Sequence, residues 1–546
     1  MSLQQASEKT GIESQIIELE IDGFKGLKNF KLSFPTKLSI IIGPNGSGKT
    51  SLIEALELLR DILEYRKGRL SNPFIKWWGY KNIVWLHKED QPITYTLKLK
   101  VRTNSLKKGH RLSLDLNTSE VIYEYKLIIY GVGGTPYLIE EAILPELGLK
   151  FRFEGGKATL IILSPSVFKK QFLDMISRRV RERTVNYVAF LKAGTGARSK
   201  RVFIPFSIYL GQEPPLPENI AQYEQDIARI LDSILSRLTE LLASEVSGFD
   251  FVTKDLVGRY LDYIKRLELD IESYLPSDLE DRMGSLLGSI TERMIKEFSL
   301  KDVEIERDVY KFLLIIVADR LHSELCQVLE QILDLFSITV MTFIDNIAIL
   351  KNINYDDLMS SRPLLEAQSR LKPNASNIAP LLLKVTGGRI PEEFTEALRA
   401  VLDADSVAVS FNLTEDGRVM FRFNVDGLDL LPPSIPGGVW KTLAIETALY
   451  FKPSLLAIDE FENSLHVSAQ EYLLDELRDS GVLALVATHS PAVIDLAKSL
   501  DEIVVFEREG AVCKARRIRD PEKLKEKLRE LGLTPSEALL YGFVEE

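Results

Sequence analysis

The chain reads as an α/β fold split by a long helical insertion, and three observations predict it. A glycine-rich loop lies between an apolar strand and a helix near the N-terminus. Helices and strands alternate over residues 431–546. Between about 166 and 335, apolar residues recur at helical spacing instead of strand spacing. These changes of character divide the chain into 1–165, a first lobe carrying the loop; 166–335, the insertion; 336–430, the remainder of the first lobe; and 431–546, a second lobe.

Each element has its own warrant. Ile16 to Ile21, Phe30 to Phe34 and Leu38 to Ile42 alternate or run apolar like paired strands. More strand-like runs follow at Ile93 to Val101, Val121 to Tyr130 and Ala158 to Leu163, with hairpin turns expected at Gly131 to Gly134 and at Glu154 to Gly156. In the insertion, Ile220, Tyr223, Ile227, Ile230, Ile234, Leu238 and Leu241 recur at intervals of three and four, as do runs from Leu256 and from Leu279. Strand character returns at Ile338 to Leu350 and at Val407 to Val425. Asp520-Pro521 and Thr534-Pro535 are cap-then-proline starts for two closing helices.

The loop itself is Gly43-Pro44-Asn45-Gly46-Ser47-Gly48-Lys49-Thr50, followed by a helix from Ser51 to Leu59. It matches the phosphate-binding pattern G-x-x-x-x-G-K-[ST] in its required strand–loop–helix setting. Glycines let successive amides turn inward around phosphate oxygens, and the helix N-terminus adds partial positive charge. In this pattern Lys49 reaches the β- and γ-phosphates of a nucleotide and Thr50 holds Mg2+. A phosphate loop needs a partner to hold the cation and orient a water. Leu455 to Ile458 is an apolar strand that ends in Asp459-Glu460, the first acid suited to the Mg2+ shell and the second to polarising the water. The plainer reading of that pair alone is a surface strand ending in an acidic turn.

Two further segments fit the same site. Ala484 to Ala487 is another buried strand, ending in Thr488-His489-Ser490, and its histidine could contact the γ-phosphate; a capping histidine is the plainer alternative. Ser434-Ile435-Pro436-Gly437-Gly438 precedes a helix from Val439 to Tyr450, a second helix end with free amides. One nucleotide has no need of it, so it makes sense against the nucleotide of another subunit. The plainer reading is an ordinary Pro-Gly helix start.

Composition is that of a globular chain, 45% hydrophobic and 27% charged, with 546 residues and a net charge of −11. No stretch suits a signal peptide or a membrane span, and two distant cysteines, Cys326 and Cys513, suggest neither metal nor disulfide. A cytoplasmic protein without membrane contact is expected. The charge is uneven. Residues 66–111 carry twelve basic residues against Glu89 and Asp90, and residues 169–201 carry ten against Asp174 and Glu182. Trp77, Trp78, Tyr80 and Trp85 lie in the first segment, Tyr187 and Phe190 in the second. Such basic, aromatic stretches can meet nucleic-acid phosphates and bases, although solvated lysines over core aromatics would look the same.

In combination, Gly43 to Thr50, Ser434-x-x-Gly437-Gly438, Asp459-Glu460 and Thr488-His489-Ser490-Pro491 resemble the ABC-type P-loop ATPases of the SMC/RecF/OLD class. Ile21-Asp22-Gly23-Phe24-Lys25, Asn374 to Ala379 and Leu533 to Leu540 look like the same class. The resemblance covers 12–60 and about 336–546. It implies an ABC-type head split by an insertion, with ATP and Mg2+ as cofactors and Lys49, Glu460 and His489 as catalytic residues. It further implies nucleotide contacts from residues 43–51, Ser434, Gly437 and Gly438, and metal contacts from Thr50 and Asp459. Heads of this class clamp two ATPs between two copies, so an ATP-dependent homodimer is expected. The chain departs from the class at Phe461 and Val467, where proline is usual, and at Val439. The glutamine that links Mg2+ to the insertion in the class has no clear counterpart, and Asp345 or Asn346 stands nearest. Only 57 residues follow His489, too few for the TOPRIM nuclease domain of the OLD nucleases, and Asp403 and Asp405 read as structural. Two ligands remain open: duplex DNA held through 66–111 and 169–201, for repair, maintenance or defence, or an effector protein regulated as in phage-defence and toxin-like systems.

Overall fold

The computed structural model describes residues 14–102, 120–144, 149–154, 157–162, 183–189, 202–210, 337–366 and 370–540. The first lobe opens with β1 (Ser14–Asp22), β2 (Phe30–Ser33) and β3 (Leu38–Ile42), and α1 (Lys49–Arg66) leaves the glycine loop. There follow β4 (Ile93–Arg102), β5 (Glu120–Tyr130), β6 (Tyr137–Leu144), β7 (Leu149–Glu154), β8 (Lys157–Ile162), β9 (Arg183–Ala189) and β10 (Val202–Leu210). With β1 and β2 they form a nine-stranded sheet in the order β2-β1-β4-β5-β6-β7-β8-β10-β9. Only β8 and β10 pair in parallel. The Gly131–Gly134 stretch joins β5 to β6, as expected. Strands β9 and β10 lie where the spacing predicts helix, so the helical character does not begin at 166; Val202 to Leu210 is a short run rich in β-branched and aromatic residues, a strand-like composition that the later helical runs overshadow. The rest of the expected insertion lies outside the described residues.

After the insertion come α2 (Thr342–Asp345), β11 (Ile347–Leu350), α3 (Tyr355–Met359), β12 (Arg362–Pro363), α4 (Ile378–Thr386), α5 (Glu392–Leu402), β13 (Val407–Leu413), β14 (Arg418–Val425) and β15 (Leu428–Leu430). The apolar run from Ile338 to Leu350 predicts strand throughout, yet Ser337 to Asp345 is helical and only Ile347–Leu350 is strand. A short apolar run does not distinguish a buried helix from a buried strand. The last lobe holds α6 (Gly437–Tyr450), β16 (Leu455–Ile458), α7 (Val467–Asp479), β17 (Ala484–Ala487), α8 (Pro491–Asp495), β18 (Ile503–Glu509), β19 (Val512–Arg517), α9 (Pro521–Leu531) and α10 (Pro535–Leu540). Both closing helices start as their sequence suggests: Asp520 accepts from the Lys523 amide, and Thr534 and Glu537 exchange bonds in a capping box.

The central sheet has six strands in the order β11-β16-β17-β3-β18-β19, parallel except for β19. Strands β11, β16, β17 and β3 are apolar on both faces but for Ser39, as a doubly covered parallel sheet requires. Ile41, Leu455, Ala457, Leu485 and Ala487 pack with α1 and with the nine-stranded sheet. The alternate residues Leu38, Ile40, Ile42, Leu456, Ile458, Ala484 and Val486 pack with α6 and α7 on the other face. Helix α1 is thus enclosed by two sheets, and Tyr95 on β4 donates to the Ala55 carbonyl at 2.9 Å. Helix α6 is enclosed on the other face, with Trp440, Leu443 and Ala444 fully buried. Burying each large apolar side chain contributes about 1.5–3 kcal/mol. Two helices held this way place their N-termini firmly.

Candidate nucleotide site

Parallel strands deliver their following loops to one edge, where α/β folds bind ligands. At that edge β3 leads into Gly43, β16 into Asp459 and β17 into Thr488, with β11 alongside. Backbone bonds lock the loops together. Asp459 donates to the Leu350 carbonyl at 2.8 Å, Phe461 to Ala487 at 3.1 Å and Thr488 to Ile41 at 3.0 Å. Lys49, Thr50, Asp459, Glu460 and His489, separated by up to 440 residues, therefore meet.

The loop itself cannot be built without glycine at two places. A Cβ on Gly43 (φ 147°) would stand 2.2 Å from the Phe506 carbonyl oxygen, and one on Gly48 (φ 106°) would stand 2.8 Å from Cys513 Sγ. Lys49 is 5% exposed and its Nζ donates to the carbonyls of Gly43 at 2.7 Å and Pro44 at 3.2 Å. Burial lowers its pKa, while Asp459 and Glu462 pull it back up. Its Nζ also lies 3.5 Å from His489 Nδ1. Ser47 Oγ is buried without a hydrogen-bond partner. A phosphate oxygen satisfies such a hydroxyl, so the residues fit a nucleotide. Pro44, Asn45 and Gly46 form the exposed rim, and Ser51 lies in the first turn of α1.

Asp459 is held by Thr50, whose hydroxyl donates to it. Burial raises the Asp459 pKa; the Thr50 bond opposes that, Glu460 adds to it, and Lys441 opposes it. Among the described residues no cluster of three or more His, Cys, Asp or Glu is placed to hold a metal. The Thr50–Asp459 pair fits a cation that takes its other oxygens from phosphate and water, as Mg2+ does. Glu460 adopts a left-handed backbone, φ 48°, which is costly for a non-glycine residue and marks functional positions. Asn463 donates to its Oε2 at 2.7 Å.

The structure adds residues that the sequence did not single out. Glu462 accepts from Thr488 Oγ1 at 2.7 Å and from the His489 amide at 2.8 Å, which fixes the backbone that carries the histidine. Lys441 on α6 donates to the carbonyls of Asp459 and Glu460, and burial pushes its pKa down to about 8 against the pull of Glu462, Asp459 and Glu460. Arg508 Nη1 lies 3.5 Å from where a Cβ of Gly46 would be. No spacing rule points to these three, because only the packing of distant elements makes them neighbours of the loop.

Three residues expected against the nucleotide of another subunit stand apart from this loop. Ser434, Gly437 and Gly438 belong to the start of α6, on the face of the sheet opposite α1. Gly437 and Gly438 pack instead on Ser464: a Cβ on Gly438 would stand 2.8 Å from the Ser464 carbonyl oxygen. Asp345 is also elsewhere. It pairs with Lys67 and Arg370 beyond the far end of α1, roughly 25 Å from the loop at 1.5 Å per helical residue. Asn346 donates to the Lys452 carbonyl at 3.0 Å. Neither can serve as the Mg2+-linking residue. Asp403 is a left-handed helix cap between α5 and β13, the structural role expected of it.

Fold and site together define an ABC-type P-loop ATPase of the SMC/RecF class, an ATP-hydrolysing enzyme. A profile described as "AAA ATPase domain" matches residues 15–174, and one described as "AAA domain, putative AbiEii toxin, Type IV TA system" matches residues 222–495. The chain belongs to this second family, which covers half of it. It is 49% identical to the Septu protein PtuA of Bacillus thuringiensis over 41 residues, 8% of this chain and 10% of that protein. Among solved structures it aligns with an Smc head domain bound to the C-terminal domain of ScpA from Pyrococcus furiosus (12% identity, 95% and 100% of the two chains, TM-score 0.35). An SmcHead bound to the C-winged helix domain of ScpA aligns at 11% identity, over 94% and 99%, with TM-score 0.39. Among the described residues no helix is long and apolar enough to cross a membrane.

Proposed function

We propose that the chain works as an ATP-operated homodimer, each head binding ATP on Gly43 to Ser51 and hydrolysing it with water polarised by Glu460. Lys49 binds the β- and γ-phosphates, and His489, beside it, contacts the γ-phosphate. Thr50 and Asp459 hold Mg2+, which neutralises charge on the phosphate oxygens when bound. Left-handed Glu460, oriented by Asn463, presents its carboxylate to the water. The observation that carries dimerisation is the placement of α6. Its N-terminus, with Ser434, Gly437 and Gly438, starts on the face opposite α1, beside the loop after β16 and close to α3. Strand β16 is two positions from β3, about 10 Å at the usual strand spacing. A helix end so placed serves the nucleotide of a second copy.

The partner that this dimer controls is read as an effector protein. The family is described by a toxin of a toxin–antitoxin system, and a short stretch of the chain matches a Septu protein. Duplex DNA is the second reading. Trp78, at 91% exposure, favours it, with Lys81 and Lys88 exposed nearby. Much of the basic excess in 66–111 is already spent on this chain's own carboxylates: Arg66 on Glu140, Lys67 on Glu64 and Asp345, Lys76 on Glu57 and Asp61, Lys98 on Glu18, and Lys100 on Glu120. Trp77 and Tyr80 are core residues. The side chains of 169–201 lie outside the described residues.

Glu460→Gln tests the site. The variant is expected to bind ATP, to lose turnover by about a thousandfold, in the range for a group that acts in the transition state, and to accumulate as a closed dimer on gel filtration with ATP. Parental hydrolysis in Glu460→Gln would remove the role given to Glu460, and a monomer at every ATP concentration would remove the dimer.

A further inference from the structure

Lys441 lies in the second turn of α6 and is 3% exposed. A buried ammonium normally meets a carboxylate. This one rests on two backbone carbonyls instead, Asp459 O at 3.3 Å and Glu460 O at 3.1 Å. One of those carbonyls belongs to the residue held at φ 48°. Strained backbone persists only where its surroundings over-determine it, and the Lys441 bond is the contact that reaches the Glu460 carbonyl from another element. The same helix grips the same loop a second time, through Gly437 and Gly438 against Ser464. Eleven of the fourteen residues of α6 are buried, so the helix is packed as one rigid rod.

From this geometry we infer that Lys441 is a positioning residue for hydrolysis. It holds the left-handed backbone of Glu460 and links the Gly437 end of α6 to the acid pair of the same head. The inference rests on the role of Glu460 proposed above. It adds a direction of coupling: contact made at the start of α6 by a second copy reaches this copy's own Asp459–Glu460 loop through the Lys441 ammonium. The Lys441 ammonium is spent on the Asp459 and Glu460 carbonyls and makes no hydrogen bond to the Gly43–Thr50 loop, so its loss displaces Glu460 and leaves the phosphate loop as it is.

The test uses the full chain. Lys441→Met keeps the length and apolar stem and removes the donors; Lys441→Gln keeps an uncharged NH2 donor group on a shorter stem and serves if the methionine variant does not fold. For Lys441→Met, kcat is expected to fall about 10- to 100-fold, the usual effect of a misplacement near 1 Å, while KM for ATP stays within about twofold because ground-state contacts are kept. Lys441→Gln is expected to fall between parent and methionine variant. In the Glu460→Gln background, Lys441→Met is expected to change the residual rate by less than about twofold, since the residue it positions is already gone. A dead Glu460→Gln beside parental kcat in both Lys441 variants would overturn the Lys441 role alone. So would a further tenfold loss, on the order of independent effects, in the double variant. An active Glu460→Gln would overturn the reading of the site itself, and this inference with it.

Discussion

Helices α1 and α6 pack on opposite faces of one sheet, and each carries ionisable residues into the interior. On α1 the carboxylates are paired. Glu57 meets Lys76 and Lys351, Asp61 shares Lys76, and Glu64 meets Lys67, Arg69 and Arg370. The pairs outweigh burial at Glu57 and Glu64, whose pKa values are lowered; at Asp61, which has only a shared lysine, burial wins and the pKa is raised. On α6, Lys441 rests on carbonyls, and Glu446 has a buried Oε1 without any hydrogen-bond partner. Burial pushes the Glu446 pKa up to about 8, and Glu476 and Glu393 push in the same direction. Charge on α1 anchors a helix that must hold the phosphate loop still. Charge on α6 is left costly, which is common where structure serves a function.

The sharpest way to break this comparison is to remove one anchoring partner. Lys351→Met leaves Glu57, 3% exposed, with Lys76 alone. Taking one partner from a buried pair costs about 3–5 kcal/mol, and the remaining lysine should hold the loss to about 2 kcal/mol. The denaturant midpoint measures it. An unchanged midpoint would mean that the network contributes nothing to the anchoring of α1.

An opposite sign is expected on α6. Glu446 has a folded pKa raised from 4.5 to about 8, so the folded state holds its proton where the unfolded chain has lost it. Stability from this group is therefore complete below the unfolded value and is lost as pH rises toward 8. Between pH 6 and 8.5 the parent should lose at most about 2–3 kcal/mol through it, from 1.4 kcal/mol per unit. Glu446→Gln should match the parent near pH 4, where the carboxyl is protonated in both states, and become increasingly the more stable of the two as pH rises to 8.5. Equal pH dependence of the two melting curves would show that Glu446 reaches solvent or a cation.

Much of the site is legible in the amino-acid order, and the reason is local. Gly43 to Thr50 encodes strand, loop and helix within a dozen residues, and Asp459 and His489 each follow an apolar run that reads as a buried strand. Parallel pairing then brings those ends together. What stays hidden depends on contacts across the fold. Lys441 looks like an ordinary helical lysine until α6 is set against the loop after β16. Glu462 reads as one acid among several until it meets Thr488. The charge excess in 66–111 misleads for the same reason, because Glu18, Glu57, Asp61, Glu64, Glu120, Glu140 and Asp345, which neutralise much of it, lie outside that stretch.

That last point yields the smallest expected effect. Lys81 and Lys88 are exposed and form no ion pair among the described residues. If the described part of 66–111 meets duplex DNA, these two supply the phosphate contacts. Each neutralised phosphate adds about 0.9 to the slope of log affinity against log salt. Replacing both lysines by alanine should reduce the slope measured between 50 and 200 mM salt by about 1.8, with ATP turnover unchanged. A parental slope in the double variant would place the contacts elsewhere. A loss well above this value would mean that the anchoring lysines leave their carboxylates when DNA binds, and the division between anchored charge on α1 and available charge on the surface would fail.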